Sequence, residues 1–92
     1  MLFAVTCLDK PDSLALRLAN RDAHLAFAKA QPFIIGGPLL SDDGQTMIGS
    51  LLVIEAPDRA ALDVLLAADP YAKAGLFQSV TIHPYKKVFP MA

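Results

Sequence analysis

The chain holds a single cysteine, Cys7, among its 92 residues. One thiol excludes an intrachain disulfide and most cysteine-based metal sites. Charge is scarce as well: 18% of residues are Asp, Glu, Lys or Arg, and the formal net charge is −1. Basic runs are lacking, so there is no electrostatic footprint for a phosphate backbone, and nucleic acid is not an expected partner. No apolar run approaches the ~18 residues that a membrane span requires, so a membrane is not an expected partner either. No Lys or Arg precedes the apolar residues between Met1 and Leu8. That stretch reads as a strand and not as a secretory signal, which leaves the cytoplasm as the default compartment. Gly36-Gly37-Pro38 lacks both the Walker lysine and the G-x-G-x-x-G spacing, which excludes a phosphate loop there. Histidine is limited to His24 and His83, so the search for acid–base chemistry is short.

What is abundant is apolar. The hydrophobic fraction is 54% and the mean hydropathy is +0.43. A chain of this length predicts one domain over 1–92, with a modest core. There are no internal repeats or linkers. The apolar surplus has to be covered, and a subunit interface is the natural place.

The punctuation of the chain sets its element order. Leu2 to Leu8 is β-prone and stops at Asp9-Lys10-Pro11, giving a first strand. Leu14 to Lys29 repeats apolar residues at helical spacing and ends before Pro32. Asp9 or Asp12 is the expected cap, with Pro11 in the first turn. Phe33 to Leu40 and Thr46 to Ala56 read as strands joined by the turn cluster Ser41-Asp42-Asp43-Gly44-Gln45. Asp58 is the expected cap of a second helix, whose buried face is Leu62, Leu65 and Leu66. Asp69-Pro70 ends it, Pro70 to Gly75 is a loop or short helical turn, and Phe77 to Tyr85 is the last strand. The order β-α-β-β-α-β predicts an α+β, ferredoxin-like fold with a four-stranded antiparallel sheet.

Two helices cover one face of such a sheet. The other face should be polar if wet, yet these strands carry apolar residues on both sides. Phe3, Val5 and Cys7 oppose Leu2, Ala4 and Leu8; Leu51 and Val53 oppose Ile48, Leu52 and Ile54. The expectation is a homodimer with sheets packed face to face.

The first helix places Leu14, Leu18 and Leu25 on one stripe, with Arg17, Arg21 and His24 along its edge. Polar groups at a seam between helix and sheet need partners. Imidazole titrates near neutrality and serves as general acid or base. Its plain alternative is a core-edge histidine bonded to a backbone carbonyl. Arg17 and Arg21 suit an anionic or phenolate-like substrate, or else ion pairs with Asp22, Asp69 or Glu55. The glycine pair permits a bulge or a cleft floor against which a ligand lies flat. Ser41 is a hydroxyl donor or a turn former, and Tyr71 lines a cleft mouth or packs. His83 reads as structural or interfacial, since nothing in the spacing joins it with His24 and Asp69 in a metal site. Cys7 reads as a small buried residue.

The run Arg17-Leu18-Ala19-Asn20-Arg21-Asp22-Ala23-His24-Leu25 resembles the R-x-x-x-R-x-x-H-L signature of the YCII-related (YciI-like) family. Gly36-Gly37-Pro38-Leu39, Asp69-Pro70-Tyr71 and Val80-Thr81-Ile82-His83-Pro84-Tyr85 fit the same pattern, and the resemblance spans nearly the whole chain. It implies a dimeric α+β barrel with an active site built on a His–Asp pair, which maps to His24 and Asp69. Asp69 before Pro70 is equally a helix N-cap; a carboxylate has two oxygens and serves both roles. Related barrels include haem enzymes, but no proximal haem motif is recognisable here.

The resulting expectation is a small cofactor-free enzyme, with no metal, acting by acid–base chemistry on a small organic molecule that is cyclic or aromatic. His24 moves the proton and Asp69 orients it. Arg21, Arg17, Gly37, Pro38, Ser41 and Tyr71 bind substrate. Isomerisation, elimination and hydrolytic dehalogenation all suit that pair. The alternative is a non-catalytic small-molecule-binding or accessory protein on the same scaffold. A purely structural module would have its cleft filled by side chains.

Overall fold

A computed structural model describes residues 1–90. Strand β1 (Leu2–Asp9) leads into helix α1 (Leu14–Lys29), then β2 (Phe33–Leu40) and β3 (Met47–Glu55) form a hairpin. Helix α2 (Arg59–Ala67), a single turn α3 (Pro70–Lys73) and β4 (Phe77–Tyr85) complete the order. Of the two expectations for Pro70–Gly75, a loop or a short helical turn, the structure has the helical turn. The strands lie in the order β2-β3-β1-β4, and every pairing is antiparallel. This is the predicted α+β, ferredoxin-like fold class. The two edge strands, β2 and β4, carry Pro38 and Pro84, where a missing N–H is tolerated.

The core lies between the sheet and the helices. Phe3, Val5 and Cys7 of β1 and Leu52 and Ile54 of β3 pack with Leu62 of α2, and all are buried. Leu65 and Leu66 flank them, half-buried. Asp58 caps α2 as expected, its side chain accepting from the Ala61 N–H at 2.8 Å. Gly49 of β3 lies against Cys7 of β1. A Cβ there would come within 2.3 Å of the Cys7 carbonyl oxygen, so no larger residue fits without moving the strand.

The start of α1 differs from expectation. Neither Asp9 nor Asp12 caps it. Ser13 occupies the N-cap without a side-chain cap bond, and Asp12 adopts a positive φ of 57° in the preceding turn. Asp9 has another partner, described below.

The burial of α1 is a larger departure. Leu14, Leu18 and Leu25 are exposed, Leu18 at 53%, whereas the helix's buried residues are Arg17 and His24. The leucine stripe is thus a flank, and the polar edge faces the sheet. Burial of this kind is tolerated because both polar side chains are paired.

On the far side of the sheet, Leu8, Ile35, Leu51 and Tyr85 are exposed in the single chain, Ile35 at 56%. Strand register puts them on one face with Ala4 and Val53. His83 pairs with Ala4 on this same face, remote from the helices, and is exposed. No helix among the described residues is long and apolar enough to cross a membrane.

Candidate active site

Helix α1 presents Arg17 and His24, at i and i+7, to the sheet and to α3. Each meets a carboxylate. Arg17 Nε donates to Asp9 Oδ2 at 2.7 Å, and Nη2 donates to Asp9 Oδ1 at 3.0 Å and to Ser50 Oγ at 2.8 Å. This is a bidentate pair closed by a hydroxyl. Its partners are the end of β1 and the middle of β3, not Asp22, Asp69 or Glu55. Glu55 instead binds the amino terminus at 2.9 Å. Burial alone pulls the Arg17 guanidinium's pKa down, but the bond and charge of Asp9 outweigh it and the net shift is upward. Arg17 stays a cation.

His24 Nδ1 lies 2.9 and 3.0 Å from the two oxygens of Asp69. Asp69 is also the N-cap of α3, accepting from the Tyr71 N–H at 2.9 Å, with Pro70 beginning the helical turn. Both readings of the Asp-Pro dipeptide hold together. A carboxylate facing Nδ1 makes that nitrogen the N–H donor and leaves Nε2 as the free position. His24 Nε2 has no hydrogen-bond partner, and no side-chain nitrogen or oxygen sealed from solvent lacks one among the described residues. The free nitrogen therefore reaches solvent.

Tyr71 joins the two pairs. Its ring stacks on the His24 imidazole with centroids 4.1 Å apart and planes 13° from parallel. The Arg17 guanidinium carbon lies 4.6 Å from the same ring's centroid. Arg17 and His24 are roughly 10 Å apart along the helix, and the ring fills the gap between them. Burial raises the Tyr71 phenol's pKa, with the Arg17 and Arg21 charges opposing, so the phenol stays protonated.

These groups border a cleft of about 430 Å³ between α1 and β2. Arg17, Arg21, His24 and Tyr71 line it on one side, and Gly36, Gly37 and Pro38 on the other. Leu25, Phe33 and Leu52 supply apolar wall. Of the expected binding residues, Ser41 does not line it. Its hydroxyl donates to Asp43 Oδ1 at 2.6 Å and accepts from the Thr46 N–H at 3.1 Å, closing the β2–β3 turn. The Ser41 bond, then the Gln45 N–H, hold the Asp43 carboxyl below its ordinary range. Ser50, Lys29 and Asp9 were not expected at the site. Gly36 lies in the glycine pair read as a cleft floor, and a Cβ there would touch Leu52 Cδ2 at 3.0 Å. No local pattern links Asp9 or Ser50 to Arg17, because the contact spans strand and helix.

The YCII-related domain matches residues 1–86. The chain belongs to the YCII-related family. It is 34% identical over 98 residues to protein YciI of Escherichia coli O6:H1, with 97% of this chain and 100% of the relative covered. This YCII-related chain is also 31% identical over 98 residues to an uncharacterized protein of Haemophilus influenzae, at the same coverage. Among solved structures it is similar to the 5-chloro-2-hydroxyhydroquinone dehydrochlorinase TftG of Burkholderia phenoliruptrix AC1100, in complex with 2,5-dihydroxybenzoquinone. The identity is 36%, the TM-score 0.84, and 94% of each chain is covered. The cofactor-independent oxygenase SnoaB of Streptomyces nogalater shares the fold at 20% identity and a TM-score of 0.63, over 98% of this chain and 97% of SnoaB.

Proposed function

We propose that this YCII-related protein is a small enzyme that moves a proton on a cyclic or aromatic organic molecule through His24. The observation that carries the reading is the asymmetry of the imidazole. Asp69 holds Nδ1, while Nε2 is unpaired among the described residues, on a side chain that lines a cleft. A carboxylate in that position fixes the tautomer and stabilises the imidazolium that forms when Nε2 takes a proton. Tyr71 stacked on the ring restrains its plane. The cleft volume falls in the usual range for small-molecule sites, ~300–1,000 Å³.

The similarity to a dehydrochlorinase bound to a dihydroxybenzoquinone supports an elimination or isomerisation on an oxygenated ring. In an elimination His24 Nε2 takes a ring proton, the C–H electron pair becomes a ring double bond and the leaving group departs as an anion; in an isomerisation the same proton returns at another ring position. Arg21 and the β2 backbone hold the substrate. Turnover across a panel of hydroxylated and halogenated aromatic compounds tests the assignment. His24→Ala should lower the rate by about 10²–10⁴-fold with the fold retained, at a lowered melting temperature because Asp69 loses its partner and Tyr71 its stacked ring. A His24→Ala chain as active as wild type on any substrate found would overturn it.

We further propose that two copies pair through the open sheet face, because Leu8, Ile35 and Leu51 leave that face apolar, and large apolar patches are rarely left wet. Sedimentation at micromolar concentration should give twice the chain mass. A monomer there refutes the pairing.

A further inference from the structure

We infer that the cleft selects a small, singly charged organic anion, and that Arg21 and Lys29 at its mouth do the selecting. This rests on the reading of the α1–β2 cleft as the ligand site.

Charge is unevenly placed around the molecule. Of eight Lys and Arg residues, three line this one cleft: Arg17, Arg21 and Lys29. None of the nine Asp and Glu residues does. Arg17 contributes little free charge, because Asp9 neutralises it at 2.7 Å. The Asp69 carboxylate lies behind the imidazole and is occupied by it and by the Tyr71 N–H. Arg21 and Lys29 are exposed, and neither has an acid within ion-pair distance among the described residues. Asp22 follows Arg21 in sequence but lies about 100° around the helix and does not line the cleft. The mouth is therefore positive in a chain whose net charge is negative.

The same geometry decides which anion fits. Arg21 precedes His24 by three residues, about one turn or ~5 Å of helix. An anionic oxygen held by Arg21 thus places an atom of the same small ring against His24 Nε2. The facing wall is apolar, with Phe33 and Leu52, and suits a flat hydrocarbon body. A phosphate is disfavoured, because its further charge calls for backbone N–H donors at a helix N-terminus or in a glycine-rich cradle, and the cleft offers only two uncompensated side-chain cations. A cationic ligand would meet two uncompensated positive charges and no carboxylate.

Benzoate and benzamide share a shape and differ in charge, so they probe the selection directly. Each is titrated into the ¹⁵N-labelled full chain, following the backbone amides of His24, Gly36 and Gly37. Benzoate should shift these amides and bind at least about tenfold more tightly than benzamide, as expected for contacts to a charged group. The preference should shrink with added salt and disappear in the Arg21→Gln/Lys29→Gln double variant. It should persist in His24→Ala. Equal binding of the two probes, binding of neither, or a preference that survives the double variant overturns the inference. A His24→Ala chain that keeps both turnover and the benzoate preference would instead sink the catalytic reading and leave the charge selection standing.

Discussion

Helix α1 carries two buried pairs of cation-forming side chain and carboxylate, two turns apart, and they are built differently. Arg17 is gripped by both oxygens of Asp9 and by Ser50, with side-chain exposures of 3% and 6% for the pair. His24 is held at one nitrogen only, and its side chain keeps 11% exposure at the cleft. The first pair has nearly all its capacity spent inside the protein. The second keeps one position open. A group that is fully occupied ties elements together, whereas a group held on one side and open on the other can do chemistry. Tyr71 touches both, so the tying pair supports the open pair through one ring.

Removing the acid should affect the two pairs in different ways. Asp9→Ala leaves a guanidinium buried without its partner. Breaking such a pair costs about 3–5 kcal/mol, and chemical denaturation should show a loss of that order. Asp69→Asn should do the opposite. Its amide oxygen still accepts from the Tyr71 N–H, so the cap survives and stability falls by about 1 kcal/mol. The rate should fall by ~10² or more, because an amide neither fixes the same tautomer nor stabilises the imidazolium. Equal stability losses from the two variants would erase the distinction between the pairs.

Cys7 offers a separate readout through pH. Its buried thiol is pushed up to about 12, first by burial, then by the charges of Asp69 and Asp9, with Arg17 opposing. In the unfolded chain the thiol ionises near pH ~8.5. Between those values the native state binds the proton that the unfolded state has lost. Stability should therefore fall as pH rises through that window, and be unaffected by this group below it. The slope of stability against pH measures the effect. Asp69→Asn should move thiol ionisation to lower pH and shorten the window.

Much of this was legible from punctuation and periodicity. The prolines, glycines and capping aspartates bounded the elements, and their order gave the sheet topology. The meeting of His24 with Asp69, 45 residues apart, followed from the family's motifs and not from spacing. Helix α1 misled because periodicity assumes that the apolar stripe is the buried one. Arg17 and His24 face inward only because Asp9, Ser50 and Asp69 wait there, and those partners lie on three other elements. Ser41 misled for a related reason: its neighbour Asp43 claims the hydroxyl locally, and no sequence pattern ranks that bond above a ligand.

Pro38 and Pro84 lie on the two outermost strands. A strand from another chain that tried to extend the sheet at either rim would find a donor missing from the row it must match. Growth by strand addition, the route to fibrils, is discouraged at both ends, so a protein this greasy is steered away from open-ended stacking and toward association that closes.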